Sequence, residues 1–219
     1  MKTNRQRPGL KHRLRLYERF FGMFVWPTGL LAIATYILWW ISYDYPVPVI
    51  GRGVILLLSA LSWIAFVLSL VAPSFCYVQC HPDYVVVSAV YPLAISYARI
   101  GNAVPIDFNT KYPLNRQTWS QRTFLEPLFF EQQTGQLTVV GMQLSEYPLP
   151  KVWLQLWLNH YMFFPPKEGA GFYFIVRDWM LLSHELEDYR DRWRVRRNSR
   201  GQKGHSIAGD VLKQGGRKR

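Results

Sequence analysis

The residues with chemistry in them are few. Cys76 and Cys80 are the only two cysteines. Their C-x3-C spacing is not the C-x2-C of a zinc knuckle, and no second pair completes four ligands. On a strand, two such side chains share a face but lie too far apart for an easy disulfide. They read as two small apolar residues in a reduced compartment. The five histidines, His12, His81, His160, His184 and His205, are scattered. His184 reads as a solvated helix residue within "SHELED", and His81 as a turn residue. Asp107, Glu126 and Glu131 share one segment, where paired carboxylates can do acid–base work. Their spacing follows no pattern. No G-x-S-x-G, H-E-x-x-H, G-x-x-x-x-G-K-[ST] or G-x-G-x-x-G occurs. The expectation is therefore no catalytic residue, no metal ligand, no cofactor and no enzyme.

The elements around these residues explain more. Residues 20–41, "FFGMFVWPTGLLAIATYILWWI", contain no charge. As a helix they reach ~33 Å, enough to cross a hydrocarbon core. Trp39, Trp40, Tyr43 and Tyr45 crowd the far end, where amphipathic rings suit headgroups. Residues 54–72, "VILLLSALSWIAFVLSLVA", form a second such run, and its serines can bond back to the helix. A cleaved signal peptide does not fit, because the first run continues past "AIA" and a second span follows. Neither run carries an ionisable group, which points to an anchor rather than a transport path. A small oligomeric pore or transporter subunit, lined by Ser and Thr across subunits, is one alternative.

Charge sets the expected orientation. Residues 1–20 hold seven Lys/Arg and one Glu, and residues 190–219 hold eleven Lys/Arg and two Asp. The 169 residues between them carry a net −3. The loop between the runs carries only Asp44 and Arg52. Positive flanks stay inside, so both termini are expected in the cytoplasm of a multi-pass cell-membrane protein. The expected domains are a basic tail at 1–19, a helical hairpin at 20–72, a cytoplasmic domain at 75–195 and a disordered basic tail at 198–219.

Short strands are expected near 75–80, 84–90, 93–97, 100–104, 135–142 and 151–158. In "KVWLQLWL" the alternation puts Val152, Leu154, Leu156 and Leu158 on one face. A helix is expected from Phe172, because Ile175, Trp179, Leu182, Leu186, Tyr189 and Trp193 follow steps of three and four. The fold class is α+β: a transmembrane hairpin, then a strongly bent antiparallel sheet or partial barrel, capped by a C-terminal amphipathic helix.

Here "PDYVVVSAVYPLAISYARI", with its Ala98-Arg99-Ile100 step, and the helix from Phe172 resemble a family. It is the bacterial pleckstrin-homology-like domains found behind pairs of transmembrane helices. The resemblance spans Phe75 to about Arg194. It implies a fold, and a binding or scaffolding role at the membrane. Lipid-phosphate-binding members carry Lys and Arg in the first hairpin loop, whereas "QCHPDY" has one Asp and neither. Phosphoinositide recognition is not implied.

Two candidate sites follow. Arg194, Arg196, Arg197, Arg200 and Lys203 are candidate contacts for anionic lipid headgroups. Aromatics do not interleave the C-terminal basics, which argues against nucleic acid. The long segment 107–133 holds Trp119, Phe124, Leu125, Leu128, Phe129 and Phe130, with a short helix expected over 120–130. This patch either caps an open end of the sheet or faces the inner leaflet or a partner, a membrane protein or a second copy. An enzyme site hidden in 107–133 is the remaining alternative.

Overall fold

Two apolar helices standing side by side organise the chain in its computed structural model. The structure describes residues 7–45, 48–130, 137–165 and 168–215, with the side chains of Phe130 and of 200–215 excepted. Helix α1 (Arg15–Ile41) and helix α2 (Val49–Val71) are both long and apolar enough to cross a membrane. Their contact is built from small groups. Ala32 is fully buried, Ser59, Ser62 and Ser69 face inward, and a Cβ at Gly29 would stand 3.0 Å from the Phe66 ring. Close approach of this kind gives helices dispersion contact where lipid and side chain are equally apolar. Ser62 and Ser69 donate back to the carbonyls of Leu58 and Phe66, so their hydroxyls cost little.

Among the described residues, the rest is α+β with two antiparallel sheets, neither closed into a barrel. The first holds β1 (Lys11–Arg13), β2 (Tyr77–Cys80), β3 (Tyr84–Ser88) and β4 (Pro92–Ser96), in that order. The second holds β5 (Ile100–Asp107), β6 (Thr138–Leu144) and β7 (Gly171–Phe174). Val85, Val87 and Ile95 turn one face of the first sheet inward, and Val139, Val140 and Met142 fill the second. Between β5 and β6 lie a short turn α3 (Phe108–Lys111) and helix α4 (Trp119–Phe130). Helix α5 (Lys151–Trp157) precedes β7, and helix α6 (Trp179–Gly215) closes the chain. Leu182 and Leu186 of α6 are buried, with Trp179, Tyr189 and Trp193 packed beside them.

Several expectations need correction. The stretch 1–19 is not simply a tail. Lys11, His12 and Arg13 pair with Gln79, Val78 and Tyr77, so a strand preceding the hairpin completes the sheet that follows it. Polar side chains hid it, because an edge strand needs only its backbone and one inward residue. That residue is His12, within 3.3 Å of Glu185 on α6. The helix expected from Phe172 starts at Trp179 instead. Gly171 to Phe174 is a fully buried strand, and its unbroken apolar run mimics helical periodicity. Ile175 is buried but precedes the helix. Of the strand expected over 151–158, Lys151–Trp157 folds instead as α5. Pro150 opens the helix without needing an N–H, and Leu154 and Leu158 turn inward one helical turn apart. The single bent sheet is two sheets. The C-terminal stretch 198–219, expected without structure, is helical through Gly215.

A chain beginning at Leu14 tests the weight of β1. Loss of the ladder should cost about 2 kcal/mol, at roughly 1 kcal/mol per hydrogen bond. Cys80 is fully buried, and burial pushes its thiol up to about 12, so the intact protein should resist maleimide. The shortened chain should label readily. Equal protection in both would mean that β1 is dispensable.

Candidate functional site

Strand order fixes which end of the first sheet meets the hairpin. Tyr77 follows the second apolar helix after one tight turn, and Arg13 pairs with it two residues before α1 begins. Ser88 pairs with both Tyr77 and Pro92, so the β3–β4 turn with Val90 and Tyr91 lies at this same end. The turn at 81–83 lies at the opposite end.

This geometry separates the expected site residues. Arg196 donates to the carbonyl of Pro82 and stands 3.6 Å from Asp83, at the end remote from the hairpin. Arg197 lies over the Trp193 ring at 5.3 Å, and Arg194 is exposed on the same stretch of α6. The three C-terminal arginines therefore stand away from the apolar helices, and Arg196 holds a turn. The side chains of Arg200 and Lys203 lie outside the described residues.

The aromatic patch is brought to the hairpin. Leu125, Leu128 and Phe129 are buried, and Phe124 stacks on Tyr161 at 6.4 Å. The patch thus caps the core beside Phe108, 6.2 Å from Phe129. It also touches the first apolar helix, since Phe124, Ser120 and Gln121 line a cleft of about 260 Å³ with Phe20, Met23 and Phe24. Trp119 is 84% exposed at the head of α4. The side chain of Phe130 lies outside the described residues. His160 also lines this cleft, and partial burial lowers its pKa.

Helix α5 is moored to the root of α1. The buried Tyr17 hydroxyl donates to the Trp157 carbonyl at 3.1 Å and accepts from the Asn159 N–H at 3.0 Å. Trp157 also meets Tyr91 at 5.7 Å. With Leu154 turned inward, Val152, Trp153 and Leu156 point outward and are 72%, 57% and 70% exposed. Together with Val90, Tyr91 and Phe75 they form an apolar rim at the hairpin end. Sequence reasoning missed this rim because it read α5 as a strand. The signal was Pro148 and Pro150 just ahead of an i,i+4 Leu pair.

A basic cleft completes that end. The Arg15 N–H donates to the Ile175 carbonyl at 2.9 Å, which draws the β7–α6 connection to the start of α1. Two adjoining cavities of about 330 and 430 Å³ share Glu18 and Arg177. Lys11 and Arg13 line the first. Arg15, Arg19, Gly22 and Trp26 line the second, with Pro127 and Leu128 of α4 opposite. Cations outnumber the two acids, Glu18 and Asp178. Arg15 stands 3.8 Å from Glu18, and the buried Arg19 Nε has no hydrogen-bond partner. The N-terminal arginines had been legible only as topogenic charge, and Arg177 carried no signal.

The residues that suggested chemistry stay apart. The Cys76 thiol is pushed up to about 11 by burial, and that of Cys80 higher still, which makes both poor nucleophiles. Asp107 accepts from the Asn109 N–H to start α3, and Glu126 lies 3.8 Å from Arg122 one turn away. Glu131 lies outside the described residues. Among the described residues no group of three or more His, Cys, Asp or Glu could hold a metal ion.

Tyr17→Phe should cost about 1 kcal/mol, because it leaves the half-buried Trp157 carbonyl and Asn159 N–H without their partner. Hydrogen exchange at the Asn159 amide should then accelerate, with the hairpin amides unchanged. Unaltered exchange at Asn159 would show that Tyr17 does not hold α5. No family model, no curated protein and no solved structure matches the chain, so the site stands on its geometry.

Proposed function

We propose that the chain is a membrane-anchored, non-catalytic binding or scaffolding module of pleckstrin-homology-like fold, held on the cytoplasmic face of the cell membrane. One observation carries this reading: β1 precedes the hairpin, β2 follows it, and the two are partners in one sheet. Two spans between paired strands return the chain to the face it left. The seven Lys/Arg of residues 1–20 then favour the cytoplasmic face for both termini. Four strands, three strands and a closing helix are in keeping with the resemblance, with the hairpin inserted between the first strand and the second.

The apolar rim and α4 fit the headgroup zone of the leaflet, where exposed Trp and Tyr gain from one dry and one wet side. Anchoring also gives the module a high effective concentration toward membrane-bound partners, so weak intrinsic affinity suffices. Ser59, Ser62 and Ser69 are buried within the hairpin of one chain, so these three serines do not line a path between subunits.

Cysteine accessibility tests the reading. Leu10→Cys, Tyr43→Cys and Ser199→Cys are placed singly in a Cys76→Ala, Cys80→Ala background, because all three sites are exposed. Intact cells should label only the Tyr43→Cys protein. Inverted vesicles should label Leu10→Cys and Ser199→Cys together. Labelling of Leu10→Cys and Ser199→Cys from opposite faces would refute the paired-strand argument, and labelling of both from outside would reverse the orientation.

A further inference from the structure

We propose that the cleft between α1, α4 and the β7–α6 connection binds one anionic amphiphile, with its phosphate on Arg19 and Arg177 and its acyl chain along Gly22, Trp26 and Leu128. The inference rests on the membrane-anchored reading and deepens it. Arg15, Arg19, Gly22 and Trp26 follow steps of four, three and four, so they descend one face of α1. That stripe begins cationic and ends apolar. Arg19 is the last charge before the uncharged run, which places it at headgroup depth. Below it Gly22 leaves open space, since a Cβ there would meet nothing within 4 Å. Trp26 and Leu128 wall that space, and its volume of about 430 Å³ is within the range of ligand sites.

The polar end wants an anion. Arg19 Nε is buried without a hydrogen-bond partner, and Arg177 stands across the same cavity. Both guanidinium groups line this cavity, and their planar N–H forks match a phosphate in charge and geometry. Glu18 reduces the net charge of this cavity, Arg15 keeps it positive, and Lys11, Arg13 and Asp178 line the adjoining one. The chemistry named is a phosphate with an apolar tail. A soluble phosphate would use the arginines alone, whereas a lipid needs the groove at Gly22 as well.

Native mass spectrometry of the full-length chain, released from detergent micelles, distinguishes the two. The probes are phosphatidylglycerol, phosphatidylcholine and inorganic phosphate. One phosphatidylglycerol should be retained, at about tenfold lower concentration than phosphatidylcholine, and excess phosphate should not displace it. Arg19→Gln with Arg177→Gln should weaken retention about tenfold or more. Gly22→Phe fills open space rather than a packed one, and should abolish retention. The control pair Arg194→Gln and Arg197→Gln should retain the lipid in full. Displacement by inorganic phosphate, or unchanged retention in Gly22→Phe, would reduce the cleft to a phosphate site and overturn the proposal. Retention unchanged by the double arginine variant would overturn it while leaving the anchored module intact. Release of the wild-type chain from membranes by alkaline carbonate would overturn both.

Discussion

Everything at the hairpin end depends on the pairing of Arg13 with Tyr77 across the two apolar helices. Closing a loop of that length in a free chain costs roughly 3–4 kcal/mol by loop-entropy scaling. The hairpin removes most of that cost, because two packed helices bring their open ends together in any case. A three-residue strand, marginal by itself, thus becomes a fixed part of a sheet. Leu14 marks the junction: it is buried, and its N–H donates to the Cys76 carbonyl at 3.0 Å. The next N–H, of Arg15, reaches the Ile175 carbonyl. Two consecutive residues therefore join α1 to both sheets and to the approach to α6.

Placement of charge follows from that junction. Arginines near Leu14 gather at the root of the helices, while Arg196, midway along α6, is drawn toward the 81–83 turn. Proximity in sequence to a basic tail was a poor guide to proximity in space. What decides is the direction in which each element leaves the hairpin. Strand β2 runs away from it, and α6 runs the same way, with Tyr189 reaching back to the Arg7 carbonyl and Arg196 to Pro82.

Much of the architecture was legible. The two long apolar runs, strands β2 to β6 to within a few residues, helix α4 and the buried stripe of α6 were all readable from periodicity and turn residues. Three features were not. Lys11-His12-Arg13 has the composition of a tail, and only a distant partner makes it a strand. Lys151 to Trp157 alternates like a strand, yet tertiary contacts at Leu154 and Leu158 select the helix. The Arg177 corner is assembled from three segments far apart in sequence, and no local pattern encodes such a convergence. The hydrophobic residues of α4 were read as either core or surface. They are divided between the two, Leu125 inward and Trp119 outward.

The connections between helices and sheet have almost no slack. Leu14 alone separates β1 from α1, and a single tight turn at Ala72–Phe75 with Cys76 separates α2 from β2. A flexible linker would let the module swing like a tethered float. Here a tilt of either helix acts on the sheet as a lever, and the sheet must tilt with it or lose register. In the membrane-anchored reading proposed above, the height and attitude of the module above a bilayer would follow the two helices rather than a loose tether.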